Sequence, residues 1–169
     1  MTTRIIRIGI AMSIATLLVL PATSAKEEKV SLDQVPAPVM TTVKARFGDA
    51  VVKGAGKEKE KGRLVYEITL EEKGHNVDVT LTPGGNLLLI ERSVEESALP
   101  APVAATLARN YPGATYRVLE EIIEVDHGRE HLASYEVELV TTDRETKEVK
   151  VKPDGRGLTE EEEDEEEGG

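Results

Sequence analysis

Val39, Val43 and Phe47 recur every four residues, and Val103, Leu107 and Tyr111 repeat that stripe 64 residues later. Apolar positions at this spacing line one face of a helix. The pattern predicts a first helix from about Pro36 to Phe47, stopped by Gly48, and a second carrying the repeated stripe and ended by Pro112-Gly113. Proline is tolerated in a first helical turn, where the backbone N–H groups lack helical partners. After each helix the period changes to two, the signature of half-buried strands. In Arg63–Glu71, Tyr66, Ile68 and Leu70 fall on one face and Val65, Glu67 and Thr69 on the other. Val77, Val79 and Leu81 mark a further strand, and Leu87–Glu91 another, with turns at Lys73-Gly74-His75 and Pro83-Gly84-Gly85-Asn86. A short strand at Ala50–Lys53 precedes them, running into a loop over Gly54–Gly62. The later strands are expected at about Thr115–Val125, Leu132–Thr141 and Thr146–Lys152, with a weak one at Gly157–Glu160. Their turns fall at Asp126-His127-Gly128, Thr142–Glu145 and Pro153-Asp154-Gly155.

The two halves are one module written twice. Val35-Pro36-Ala37-Pro38-Val39 answers to Leu99-Pro100-Ala101-Pro102-Val103, Tyr66-Glu67-Ile68 to Tyr135-Glu136-Val137, and Pro83-Gly84-Gly85 to Pro153-Asp154-Gly155. The implied fold is α+β: two tandem units, each one helix packed on a four-stranded antiparallel meander sheet whose other face is polar and solvated. Units this small bury too little surface to stand alone, so the two are expected to pack together. The chain divides into a signal peptide (residues 1–25), a polar lead-in (26–34), unit one (35–92), a linker (93–98), unit two (99–159) and a disordered acidic tail (160–169).

Arg4 and Arg7, the apolar run Ile8–Leu20 and the small residues ending at Ala25 are what mark a secretory signal peptide cleaved near Ala25. The apolar run is short of the roughly 20 residues a spanning helix needs, so no membrane association is expected after cleavage. The net charge of −11 argues against nucleic acid, whose phosphates demand a basic footprint. With no cysteine, disulfides, zinc–thiolate sites and thiol nucleophiles are excluded.

The residues offer little catalytic chemistry, and neither an enzyme nor a cofactor is expected. His127 and His131 have metal-pair spacing only on a helix, and Gly128 places a turn between them. Gly54-Ala55-Gly56-Lys57 lacks the first glycine and the Ser or Thr of a phosphate loop and reads as a flexible hairpin. Ser31, Ser93, Ser97 and Ser134 lie in no nucleophile-elbow setting. The acidic run Glu160, Glu161, Glu162, Glu163, Asp164, Glu165, Glu166 and Glu167 supplies oxygen ligands of the kind calcium takes, without the spacing of an EF-hand.

Leu99-Pro100, Tyr111-Pro112-Gly113-Ala114, Tyr135-Glu136-Val137 and Val151-Lys152-Pro153-Asp154-Gly155 together resemble the PepSY-like family, related to the β-lactamase inhibitory protein fold. Unit one follows the pattern more loosely, with Phe47-Gly48-Asp49-Ala50 at the aromatic motif. The resemblance implies a helix-on-sheet fold used in tandem, export to the periplasm or beyond, and a non-catalytic role in inhibiting or regulating peptidases. The residues it rests on are structural and transfer no binding specificity. The expected function is therefore recognition of a protein partner, an extracytoplasmic peptidase being the class implied, through the open sheet face and its loops. On the alternation that face carries Val65, Glu67, Thr69, Asp78 and Thr80 in unit one and Glu136, Glu138, Glu148 and Lys150 in unit two. The alternative is a cation-binding envelope protein acting through the acidic tail.

Overall fold

The computed structural model describes residues 28–161. The strands are β1 (Glu28–Lys29), β2 (Val51–Glu60), β3 (Arg63–Glu72), β4 (His75–Leu81), β5 (Leu87–Ser93), β6 (Thr115–Asp126), β7 (Arg129–Val140), β8 (Thr146–Val151) and β9 (Thr159–Glu161), with helices α1 (Ala37–Arg46) and α2 (Ala101–Asn110). The expected helix-plus-meander units are present, and among the described residues they share one antiparallel sheet of nine strands whose spatial order is the sequence order. The units join where β5 pairs with β6, Ile90 standing opposite Ile123 and Glu91 opposite Ile122. Three hairpins turn on an X-Gly pair with both residues at positive φ: Lys61-Gly62, Lys73-Gly74 and His127-Gly128. That geometry matches the right-handed twist of the flanking strands and favours glycine at the second position.

Both helices cover the same side of the sheet. Ile90 belongs to the core beneath α1, with Val39, Val43, Phe47, Tyr66, Ile68 and Val79. Its neighbour Ile123 lies on the same face of β6 as Leu119, which belongs to the core beneath α2 with Val103, Leu107, Tyr135, Val137 and Val149. Side chains at i and i+4 along a strand share a face, so one face carries both helices. The β6–β7 hairpin also reaches across the boundary. Ile123 and Val125 pack against the first core, and Glu130 receives Arg46 from the end of α1 at 2.7 Å.

The repeated Pro-rich and Pro-x-Gly motifs meet in space. Thr42 of α1 donates its hydroxyl to the carbonyl oxygen of Gly85, and Thr106 of α2 does the same to Gly155. Gly85 and Gly155 have positive φ, and a Cβ there would fall 2.6 Å from the Pro38 carbonyl oxygen and 2.4 Å from that of Pro102. Only glycine lets the turn come this close to the helix's first turn.

Four expectations shift. Gly54–Glu60 is strand, not loop: β2 pairs with β3 from Val51↔Glu71 to Glu60↔Arg63, with a register shift between Val52 and Gly54. A bulge there absorbs one residue and restores the ladder, so Gly54-Ala55-Gly56-Lys57 is paired backbone rather than a flexible hairpin. The lead-in contains β1 and a short 3-10 turn at Leu32–Gln34, where the backbone N–H of Ser31 donates to the Gln34 side chain. The linker contains a second such turn at Glu96–Ala98. The acidic segment begins inside the sheet, because Thr159–Glu161 pairs with β8. The expected signal peptide and Glu162–Glu167 lie outside the described residues.

Candidate functional site

The side chains on the face away from the helices are set by alternation with the core positions. Register places Glu67 opposite Thr80 and Thr69 opposite Asp78 in unit one, and Glu136 opposite Lys150 and Glu138 opposite Glu148 in unit two. All the face residues read from the sequence therefore lie on one continuous surface. Glu91 on β5 and Glu120 on β6 lie on it as well, joining the two groups across the seam. Their positions were readable from the same alternation once β5 and β6 are known to pair.

This face is not flat. Val65 and Thr80, expected to be available to a partner, are 2% and 5% exposed, and Ile122 is 7% exposed, although no helix covers them. An open hollow of about 530 Å³ is lined by Arg63 and Val65 of β3, Leu89 of β5, Ile122 of β6 and Lys150 of β8. In a flat sheet β3 and β8 would stand about 24 Å apart, five strand spacings. Sheet twist and the bulges in β2, β5, β6 and β7 curl the uncovered face inward until both ends meet one hollow. Val65 thus lies at the floor of the hollow, and Thr80 is buried opposite Leu89, so neither is an exposed point of contact.

The uncovered face beside this hollow is acidic. Asp78 stands directly opposite Glu91, Glu120 opposite Glu136, and Glu138 opposite Glu148. Lys150 pairs with Glu136 at 2.9 Å, and Arg117 reaches Glu138 at 3.9 Å. Burial pushes the Glu91 carboxyl up to about 7, and the charges of Glu136, Glu67, Glu120 and Asp78 push the same way. Glu120 is raised for the same reasons, burial first and then Glu136 and Asp78.

The other candidates have structural roles. His127 supplies a positive-φ position of the β6–β7 turn and is almost wholly exposed, 3.6 Å from Asp126. His131 reaches Glu124, its partner across the β6–β7 ladder, at 3.1 Å. Ser93 uses its hydroxyl to bridge the backbone N–H and C=O of Asn76. Of the acidic run, Glu160 accepts the Tyr111 hydroxyl at 2.7 Å and Lys147 Nζ at 2.9 Å. Its role among the described residues is to tie β9 to the end of α2 and to β8. No group of three or more His, Asp or Glu among the described residues has the geometry to hold a metal ion.

Several solved structures share this fold. A protein of Bacteroides eggerthii described as a "putative periplasmic" protein superposes with a TM-score of 0.61 at 12% identity, covering 75% of this chain and 88% of its own. A DUF2874 family protein of Bacteroides uniformis gives 0.59 at 14% identity, covering 74% and 88%. A BLIP-like protein of Bacteroides fragilis gives 0.54 at 17% identity, covering 75% and 85%. No curated protein matches the chain in sequence. A family model described as "Putative beta-lactamase-inhibitor-like, PepSY-like" matches twice, over residues 21–89 and 88–157, following the two units with their paired Pro-rich and Pro-x-Gly motifs. Between them these matches span nearly all of the described fold, and the chain belongs to the PepSY-like family.

Proposed function

We propose that this protein is an exported, non-catalytic binding protein that recognises a protein partner through the uncovered, curled face of its sheet. The observation that carries the reading is the trough itself, a concave surface to which both units contribute side chains and which no helix covers. The Met1–Ala25 pattern supports export, and the Bacteroides eggerthii neighbour described as periplasmic agrees with it. The inhibitor-like description of the family supports binding over catalysis, and an extracytoplasmic peptidase is the partner class to try first.

The test is capture of partners from an envelope extract by the mature chain, beside the double variant Glu120→Lys/Glu138→Lys. Each substitution puts a cation opposite a carboxylate in place of an acid–acid pair, which offsets the loss of the long, exposed Arg117–Glu138 ion pair, so the melting temperature should not fall. A partner held by the unsubstituted protein and lost by the variant supports recognition through the face. A partner held equally by both overturns it.

A further inference from the structure

Across β4 to β8, three acid–acid pairs occupy directly opposed positions on adjacent strands: Asp78 with Glu91, Glu120 with Glu136, and Glu138 with Glu148. Like charges so placed destabilise a sheet. Carboxylates serving solubility alone gain nothing from being opposed, nor from the partial burial of Glu91 and Glu120, which raises the cost of each charge. Glu91 and Glu120 are diagonal neighbours across the β5–β6 pairing, since Glu91 faces Ile122 and Ser93 faces Glu120. The concentration of negative charge therefore sits over the seam between the units, in the middle of the curled face.

We propose that the occupant of this face is a basic segment of a partner protein, whose lysine or arginine side chains lie over the β5–β6 seam between Glu91 and Glu120. The proposal rests on the reading of this face as the recognition surface, and adds the chemistry of what it recognises. Charge complementarity is the argument. A cation at that point relieves repulsion the fold otherwise carries, so attraction to a basic partner exceeds what an isolated surface carboxylate supplies. The groups facing Glu91 are Asp78 on β4, Glu67 on β3, Glu120 and Glu124 on β6, Glu136 on β7 and, paired with Glu136, Lys150 on β8. In this predominantly acidic surrounding Glu91 keeps its proton to about neutral pH, and an arriving cation displaces it.

The probe is an octalysine peptide titrated calorimetrically into the full mature chain at pH 7 and low salt. It is run beside Glu91→Gln/Glu120→Gln and beside a chain whose tail residues Glu162, Glu163, Asp164, Glu165, Glu166 and Glu167 are changed to their amides. The face variant should bind at least about tenfold more weakly and the tail variant within about threefold of the unsubstituted chain. The binding heat should also vary with the ionisation enthalpy of the buffer in the unsubstituted chain, reporting proton release, and not in the face variant. Both glutamine substitutions remove repulsion, so an unchanged or higher melting temperature controls for folding. Affinity that follows the tail substitutions and ignores the face overturns the proposal. A neutral or acidic partner captured through the face, as tested under the proposed function, overturns this inference while leaving the recognition reading in place.

Discussion

Thr106 donates its hydroxyl to the carbonyl oxygen of Gly155 at 2.7 Å, and Thr42 repeats the bond to Gly85 at 2.8 Å. Each bond ties a helix to the Pro-x-Gly turn of its own unit, and each turn glycine rests against a proline carbonyl of the helix start. Thr106→Val keeps the shape and removes this part-buried hydrogen bond, with the longer one the hydroxyl accepts from Arg109 at 3.4 Å, at a cost of about 1 kcal/mol. Gly155→Ala places a methyl group against Pro102 at a positive φ, at a cost of about 2–4 kcal/mol. Urea unfolding of the two variants checks the order, which reverses if the turn does not rest on the helix.

Glu91 makes stability depend on pH. Its carboxyl titrates near 4.5 when unfolded and at about 7 in the fold. Between these values the folded state holds a proton that the unfolded state has lost, so stability falls as pH rises through the window and the loss is complete above it. Glu91→Gln should raise stability at pH 8 by about 1–2 kcal/mol, after allowance for the group's partial exposure, and leave it unchanged at pH 4. Thermal melts at the two pH values measure the difference, and an equal shift at both would contradict the assignment.

Tyr111 and Glu160 form a second linked pair. Burial pushes the Tyr111 phenol up to about 12, and its hydrogen bond to Glu160 and that residue's charge add to the shift. Glu160→Gln should bring one of the four tyrosines down, though not below its ordinary value, because the burial remains. Phenolate absorbance against pH reads this directly. The change in stability should be slight, since Glu160 and Lys147 are surface groups.

The two units should unfold as one. Ile123 belongs to unit two by sequence, yet it packs in the core beneath α1 and pairs with Ile90 across the seam. Ile123→Ala should cost about 1–3 kcal/mol and lower a single calorimetric transition whose van't Hoff and calorimetric enthalpies agree. Two resolved transitions would mean the seam is a hinge.

Local pattern made much of this legible. The four-residue stripes located α1 to within a residue at each end and placed α2 ahead of Pro112-Gly113, because their buried faces are apolar and their flanks are proline and glycine. Alternation placed Glu67, Thr69, Asp78, Glu136, Glu138, Glu148 and Lys150 on the correct face of the sheet. What alternation does not encode is curvature, so Val65 and Thr80 read as outward-facing although the curl buries them. Glu91 and Glu120 were missed for a related reason. Their proximity is created by the β5–β6 pairing, which joins two segments that read separately as the end of one unit and the start of the next. Gly54 and Gly56 misled in the other direction, since glycine lowers strand propensity while tertiary pairing with Thr69 and Glu67 overrides it.

Because the nine strands lie in space in the order of the sequence, no strand waits for a partner beyond the next one in the chain. A polypeptide delivered from its N-terminal end can lay down the sheet strand by strand, each hairpin closing a short loop on an edge already formed. Such locality favours rapid folding among β-rich proteins, whose usual delay is the search for distant partners. It also makes the architecture extensible. Duplicating a unit adds strands to an edge without rethreading anything already built, and the two copies in this chain meet along an ordinary strand pairing.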